Sequence, residues 1–319
     1  MQILGNEKGV IRLQFLLWLE SIRNPVLDFL MEAVTYLGDE IFFILIALTV
    51  FWSVDKKEGY YLLFVGFFGT MINQFFKLLC RIPRPWVREP RLSIVEGARA
   101  GAEGYSFPSG HTQSAVGNFG TIARWNGNRT LRILCVLLIG LVSFSRMYLG
   151  VHTPADVGVS LLVGSALVFA FYPLMQKALR EPKVMYALIG AMLLCSMAFV
   201  LYANLTEFPV DENYANILSG RKNSYSLFGA LAGFAIAYPI EKKYIRFSEK
   251  GVLLAQVCKV LVGLVGLLAV KEGLKALFSA MEMTWMGMHA IRYCAVVLFA
   301  ALVWPLTFPF WNRILGKKA

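Results

Sequence analysis

Apolar residues in this chain come in blocks about as long as a bilayer is thick, and that feature excludes most folds. The stretches LFVGFFGTMINQFF (63–76), LRILCVLLIGLVSF (131–144) and VLLAQVCKVLVGLVGLLAV (252–270) carry almost no charge. A helix needs ~20 apolar residues to cross the hydrocarbon layer, and backbone in lipid must satisfy its own hydrogen bonds. Blocks of this kind therefore fold as spanning helices. Charged residues make up 16% of the 319 residues, against roughly 25% in a soluble domain. The fold class expected is all-α, a polytopic membrane helical bundle.

Nine spans are expected, near 39–54, 60–80, 109–125, 130–149, 154–174, 184–203, 225–240, 252–270 and 288–308. Ahead of them, Leu13, Phe15, Leu16, Leu19 and Ile22 alternate with Arg12, Glu20 and Arg23. That pattern suits an amphipathic helix lying in the membrane interface. Joining it to 26–36 would give a tenth span, but Asn24-Pro25, Asp28 and Glu32 interrupt the run. The chain then divides into an N-terminal interfacial segment (1–38), a core (39–178) and a C-terminal helical extension (179–319). The extension's Gly229, Gly233, Gly263 and Gly266 suit close helix packing. Five cysteines form no CxxC pair and are expected to pack as small hydrophobes.

The formal net charge of +11 raises nucleic acid as a partner. No basic stripe with interleaved aromatics supports it, and no nucleic acid is expected. The excess fits cytoplasmic loops instead. Short loops with Lys56, Lys57, Arg124, Arg129, Arg132, Lys177, Arg180, Lys242, Lys243 and Lys250 fall on one side. The opposite side spreads its basic residues over longer segments and is expected to be non-cytoplasmic.

Three polar strings interrupt this apolar chain, and all fall on that non-cytoplasmic face: KLLCRIPRP (77–85), FPSGH (107–111) and SRMYLGVHTPAD (145–156). Charged residues beside membrane helices usually mark function. In HTPAD, Pro154 suits a first helical turn and Thr153 can cap it. His152 and Asp156 are four apart and share a face. Asp156 can therefore orient the imidazole and leave its other nitrogen free as a nucleophile. In PSGH, Gly110 permits close approach of an anion, Ser109 offers a hydroxyl, and a helix start favours phosphate. His111 is placed to give a proton to a leaving oxygen. Lys77, Arg84 and Arg146 supply a point charge and two guanidinium forks for phosphate oxygens. In the loop between the first two strings, Arg91 and Arg99 read as solvated residues balanced by Glu89, Glu96 and Glu103.

Together, K-x6-RP, PSGH and SR-x5-H-x3-D resemble the three signatures of the type 2 phosphatidic acid phosphatase superfamily. Its members include lipid phosphate, undecaprenyl pyrophosphate and sphingosine-phosphate phosphatases, glucose-6-phosphatase and soluble vanadium haloperoxidases. The resemblance implies that His152 forms a phosphohistidine, that Asp156 orients it and that His111 is the general acid. It implies a phosphate-binding set of Lys77, Arg84, Ser109, Gly110 and Arg146. No metal or other cofactor is implied in the phosphatase branch, and phosphate or vanadate would be the site ligand. The expected substrate is a membrane lipid phosphate or diphosphate. A soluble sugar phosphate, or transfer to an alcohol acceptor, remains open, as do the oligomeric state and the leaving group. The expected location is a bacterial plasma membrane with an extracytoplasmic site, or an endoplasmic reticulum with a lumenal one.

Overall fold

The computed structural model describes residues 13–99, 101–209 and 214–315. Arg12 lies outside them. Among the described residues the chain is all-helical. Residues 13–21 form α1, Pro25–Thr35 form α2, Glu40–Ser53 form α3 and Lys56–Cys80 form α4. Gly110–Ala115, Val116–Gly120 and Thr121–Trp125 run on as α5, whose middle piece is a π turn. Then come α6 (Arg129–Tyr148), α7 (Pro154–Arg180), α8 (Pro182–Leu205), α9 (Tyr214–Ile240), α10 (Leu253–Ala280) and α11 (Gly287–Leu315).

Six of these helices are long and apolar enough to cross a membrane, and seven if α2 and α3, bent by 49°, make one span. The protein is thus an integral membrane protein. A helix occupies each of the nine expected segments, but α3, α5 and α9 fall outside those six. The break expected at Asn24-Pro25 is a helix start. Asn24 Oδ1 accepts from the Leu27 amide at 3.0 Å and Pro25 takes the first helical position, which satisfies one donor and removes another. In α1 the leucine stripe is covered by protein. Leu13, Leu16 and Leu19 are buried with Leu92, and Met147 packs on them. Trp18 and Ile22 stay exposed.

The chain divides into two compact units. The first comprises Met1–Ile44, Phe64–Tyr172 and Phe208–Gly220. Here α5 packs on α6 and on the 36–38 turn, and α2 packs on α6. All three polar strings belong to this unit. A latch ties its N-terminal part to the turn ahead of His152. Arg23 donates to the Tyr148 and Ser93 carbonyls, both at 2.9 Å, and the Tyr148 hydroxyl donates to Asp28 at 2.8 Å. Gly150 closes that turn at φ +79, a left-handed conformation that favours glycine.

The second unit comprises Leu45–Leu63, Pro173–Glu207 and Arg221–Ala319. Its glycines do pack closely. Gly229 lies against the Ala290 backbone, Gly233 against Cys294, Gly263 against the Trp304 indole and Gly266 against Phe299. Buried Glu241 is satisfied by Lys56 at 2.7 Å and by the Tyr60 hydroxyl at 3.2 Å. Lys259 is fully buried, with the Gln256 side-chain oxygen at 3.3 Å and the Phe308 ring beneath it. Of the free cysteines, Cys135 is buried but Cys80 and Cys195 are exposed, so not all serve as core.

Candidate active site

The start of α7 is built by a reciprocal cap. The Thr153 amide donates to Asp156 Oδ2 at 2.8 Å, and the Asp156 amide donates to Thr153 Oγ1 at 3.3 Å. This arrangement satisfies two amides that a helix start leaves unpaired. It also locks the carboxylate, because Ser106 Oγ donates to the same Oδ2 at 2.6 Å. His152 Nδ1 lies 3.5 Å from that oxygen. The distance is long for a hydrogen bond, and Nδ1 makes no closer one. The pairing is chiefly electrostatic. His152 is 1% exposed, and its Nε2 faces Arg84 Nη1 at 2.9 Å. Burial, and then the Arg84 guanidinium, push this histidine well below its ordinary range, against the pull of Asp156. A neutral ring results, with Nε2 facing the cation that would hold a phosphate oxygen.

Three cations converge here, each under 9% exposed. The Lys77 ammonium donates to the Tyr105 carbonyl and lies within electrostatic range of Arg84, Arg146 and Asp156. Arg84 is held by carbonyls: Nε donates to Gly104 at 3.0 Å, Nη2 to Glu103 at 2.7 Å and Nη1 to Val151 at 3.2 Å. Arg146 differs. Its Nη1 donates to Thr35 Oγ1 at 2.7 Å, while Nε and Nη2 are buried without partners. A buried, unpaired charge costs several kcal/mol, and the edge of a guanidinium matches two oxygens of a phosphate. The arrangement is suited to an anion bringing negative charge and acceptors.

The 107–111 string is pinned to the same place. Ser109 donates its amide to the Asp156 carbonyl at 3.1 Å, and Ser160 Oγ donates to the Ser109 carbonyl at 2.8 Å. Ser109 Oγ caps α5 by accepting from the Thr112 amide at 3.4 Å. A side chain at Gly110 would meet only Asn73 Oδ1, at 3.7 Å, so open space lies before it. Asn73 in turn donates to the Pro108 carbonyl at 3.3 Å. His111 lies within electrostatic range of Arg146, His152, Arg84 and Lys77. The structure thus gathers all eight residues singled out in the sequence. Outside that set, Arg91 pairs with Glu89 at 2.8 Å and Arg99 with Glu96 at 3.0 Å, as their alternation with acids suggested.

Several partners carried no signal in the strings. Ser106 and Ser160 lie just outside them. Thr35 and Asp39 are far away in sequence, and Asp39 Oδ2 sits 3.9 Å from His111 Nε2. Only the break in apolar pattern at 35–39 hinted at a polar role there.

Comparison with known proteins gives the family. The PAP2 superfamily pattern matches residues 58–180, and undecaprenyl-diphosphatase BcrC of Bacillus subtilis (strain 168) is 30% identical over 196 residues, covering 61% of this chain and 94% of that protein. This chain belongs to the PAP2 superfamily. A second pattern, the transmembrane extension of PAP2 superfamily phosphatases, matches residues 225–312. A probable sphingosine-1-phosphate phosphatase of Dictyostelium discoideum is 32% identical over 165 residues, 48% of this chain and 39% of that protein. Phosphatidylglycerophosphatase B of Bacillus subtilis (strain 168) is 28% identical over 161 residues, 46% and 75% of the two chains. No solved structure matches. The PAP2 match contains all eight of the residues singled out but neither Thr35 nor Asp39.

Proposed function

We propose that this PAP2 protein is an integral membrane phosphatase that removes phosphate from a lipid phosphomonoester or diphosphate through a phosphohistidine on His152. The observation that carries the reading is the buried, half-unpaired Arg146 beside Arg84, Lys77 and a neutral imidazole. In the first step His152 Nε2 attacks phosphorus. The phosphorus–oxygen bond to the leaving group breaks, and its electron pair goes to the leaving oxygen, which takes a proton from His111. In the second step water gives a proton to His111 and attacks phosphorus, and the phosphorus–nitrogen bond breaks to release phosphate. Asp156 aims His152, while Lys77, Arg84, Ser109, Gly110 and Arg146 hold the phosphoryl oxygens. No metal enters these steps.

A lipid substrate is supported by the relatives, whose names refer to an isoprenoid diphosphate, a sphingoid phosphate and a glycerophospholipid. We further propose nine crossings, the site on the extracytoplasmic or lumenal face, and the division 1–38, 39–178 and 179–319. The helices at all nine segments and the asymmetry of basic residues support this topology. Phosphate release by the purified protein tests the function. The panel holds a phosphatidic acid, a sphingoid phosphate, an isoprenoid diphosphate and a sugar phosphate, with a chelator present. Release from at least one lipid, lost in His152→Ala and inhibited by vanadate, is expected. Undiminished release by His152→Ala would remove the assigned nucleophile, and release from the sugar phosphate alone would overturn the lipid reading.

A further inference from the structure

Residues 35–39 lie outside the matched PAP2 region, yet they are built into the site. Gly38 shows how tightly. A Cβ there would stand 2.7 Å from the His111 carbonyl oxygen and 2.6 Å from Val142 Cγ1, so only glycine lets this turn press against α5 and α6 together. On one side of Gly38, Thr35 is buried and takes the hydrogen bond of Arg146 Nη1. That bond fixes the guanidinium plane and directs its unpaired Nε and Nη2 edge. On the other side, Asp39 divides its carboxylate. Oδ1 accepts from the Ile41 amide at 2.8 Å and so caps α3, while Oδ2 lies 3.9 Å from His111 Nε2. Asp39 is also within electrostatic range of Arg146.

We propose that Asp39 is a positioning residue for the reaction: it orients His111 and favours its protonated form, leaving Nδ1 to deliver the proton to the leaving oxygen. The inference rests on the assignment of His111 as general acid. The physical need is plain. Arg146, Arg84 and Lys77 all act on His111, and positive neighbours oppose a second proton on an imidazole. An acid that must carry that proton requires a compensating negative charge. Asp39 supplies it, with Oδ2 3.9 Å from Nε2 and Oδ1 anchored by the α3 cap. The result parallels the other histidine: Asp156 faces Nδ1 of His152 and Asp39 faces Nε2 of His111. Thr35, through Arg146, holds the phosphate between the two.

The test compares wild type with Asp39→Asn, Asp39→Glu, His111→Ala and His152→Ala in the full-length protein. The substrates are a lipid alkyl phosphate, whose leaving oxygen needs a proton, and an aryl phosphate, whose leaving oxygen needs little help. Asp39→Asn is expected to lower kcat on the alkyl phosphate by roughly 10–100-fold, part of the full contribution of an acid, with a much smaller loss on the aryl phosphate. Without the carboxylate His111 loses its proton at lower pH, so the alkaline limb of kcat/KM should move downward. Asp39→Glu should restore part of the rate. Equal loss on both substrates with an unmoved alkaline limb would overturn the proposal and leave Asp39 a purely structural cap. If the aryl phosphate is not turned over, the alkaline limb alone decides. Full activity in His111→Ala or His152→Ala would strike the underlying reading. Loss in those variants with an unaltered Asp39→Asn would strike only this inference.

Discussion

In the proposed mechanism, the protonation of His152 decides whether the reaction can start. An ordinary histidine titrates near pH 6.5, so a nucleophile with that value would be half blocked just below neutrality. Burial and Arg84 push His152 well below this range. The sign follows directly. A depressed value keeps the ring neutral to lower pH, so the acid limb of kcat/KM, which reports the free enzyme, should lie below the ordinary histidine range. Replacing Arg84 with Gln removes the nearest cation, and its acid limb should move upward toward 6.5 as activity falls. Initial rates measured over acid to neutral pH check this, and an Arg84→Gln limb that stays in place would show that the arginine does not tune the nucleophile. These two residues, 68 positions apart, were legible in the sequence because each sits in a short polar string whose chemistry is rare beside apolar helices. Ser106 was not, since a single serine two residues before Pro108 has no distinguishing pattern until the fold brings it to Asp156.

At the scale of elements, the site depends on turns more than on helix interiors. The reciprocal cap at Thr153 and Asp156, the Ser109 cap of α5 and the turn at Gly38 each fix a reacting group through backbone geometry. Caps are readable in a sequence because one side chain serves an amide two or three residues away, and Thr153 was identified in that way. The Gly38 contact is not readable, since it depends on α5 and α6 arriving from more than 70 residues further along. Gly38→Ala is expected to cost about 1–3 kcal/mol of stability, the usual range for overpacking, and to lower activity through displacement of His111. Gly140→Ala is the control, because a Cβ there meets nothing within 4 Å. Thermal unfolding in detergent together with initial rates distinguishes the two. Equal behaviour of both variants would mean that the 35–39 turn yields without disturbing α5.

For the whole molecule, topology turns on which helices cross. Hydropathy finds the long apolar ones, and six pass on length and composition. It misses α5 for a physical reason. The three pieces hold 6, 5 and 5 residues, about 24 Å of helix at 1.5 Å per residue, against a hydrocarbon core of about 30 Å. Buried Thr112, Gln113, Asn118 and Thr121 lower its apolar content further. Such a helix can still cross when protein rather than lipid surrounds it, and α5 packs on α6 and on the 36–38 turn. Crossing or not changes the whole topology, because it decides whether the loop containing Arg99 and the turn containing Gly127 face opposite sides. The proposed topology puts the turn at Gly127 in the cytoplasm, and the flanking Arg124, Arg129 and Arg132 favour that by the positive-inside rule. Single cysteines at these two positions, with all five native cysteines replaced by alanine, should therefore differ in intact bacterial cells. Arg99→Cys is expected to react with a membrane-impermeant maleimide, and Gly127→Cys only after permeabilisation. Reaction at both positions in intact cells would mean that α5 enters and returns on one side. Protection of Arg99→Cys alone would reverse the orientation and put the site on the cytoplasmic face.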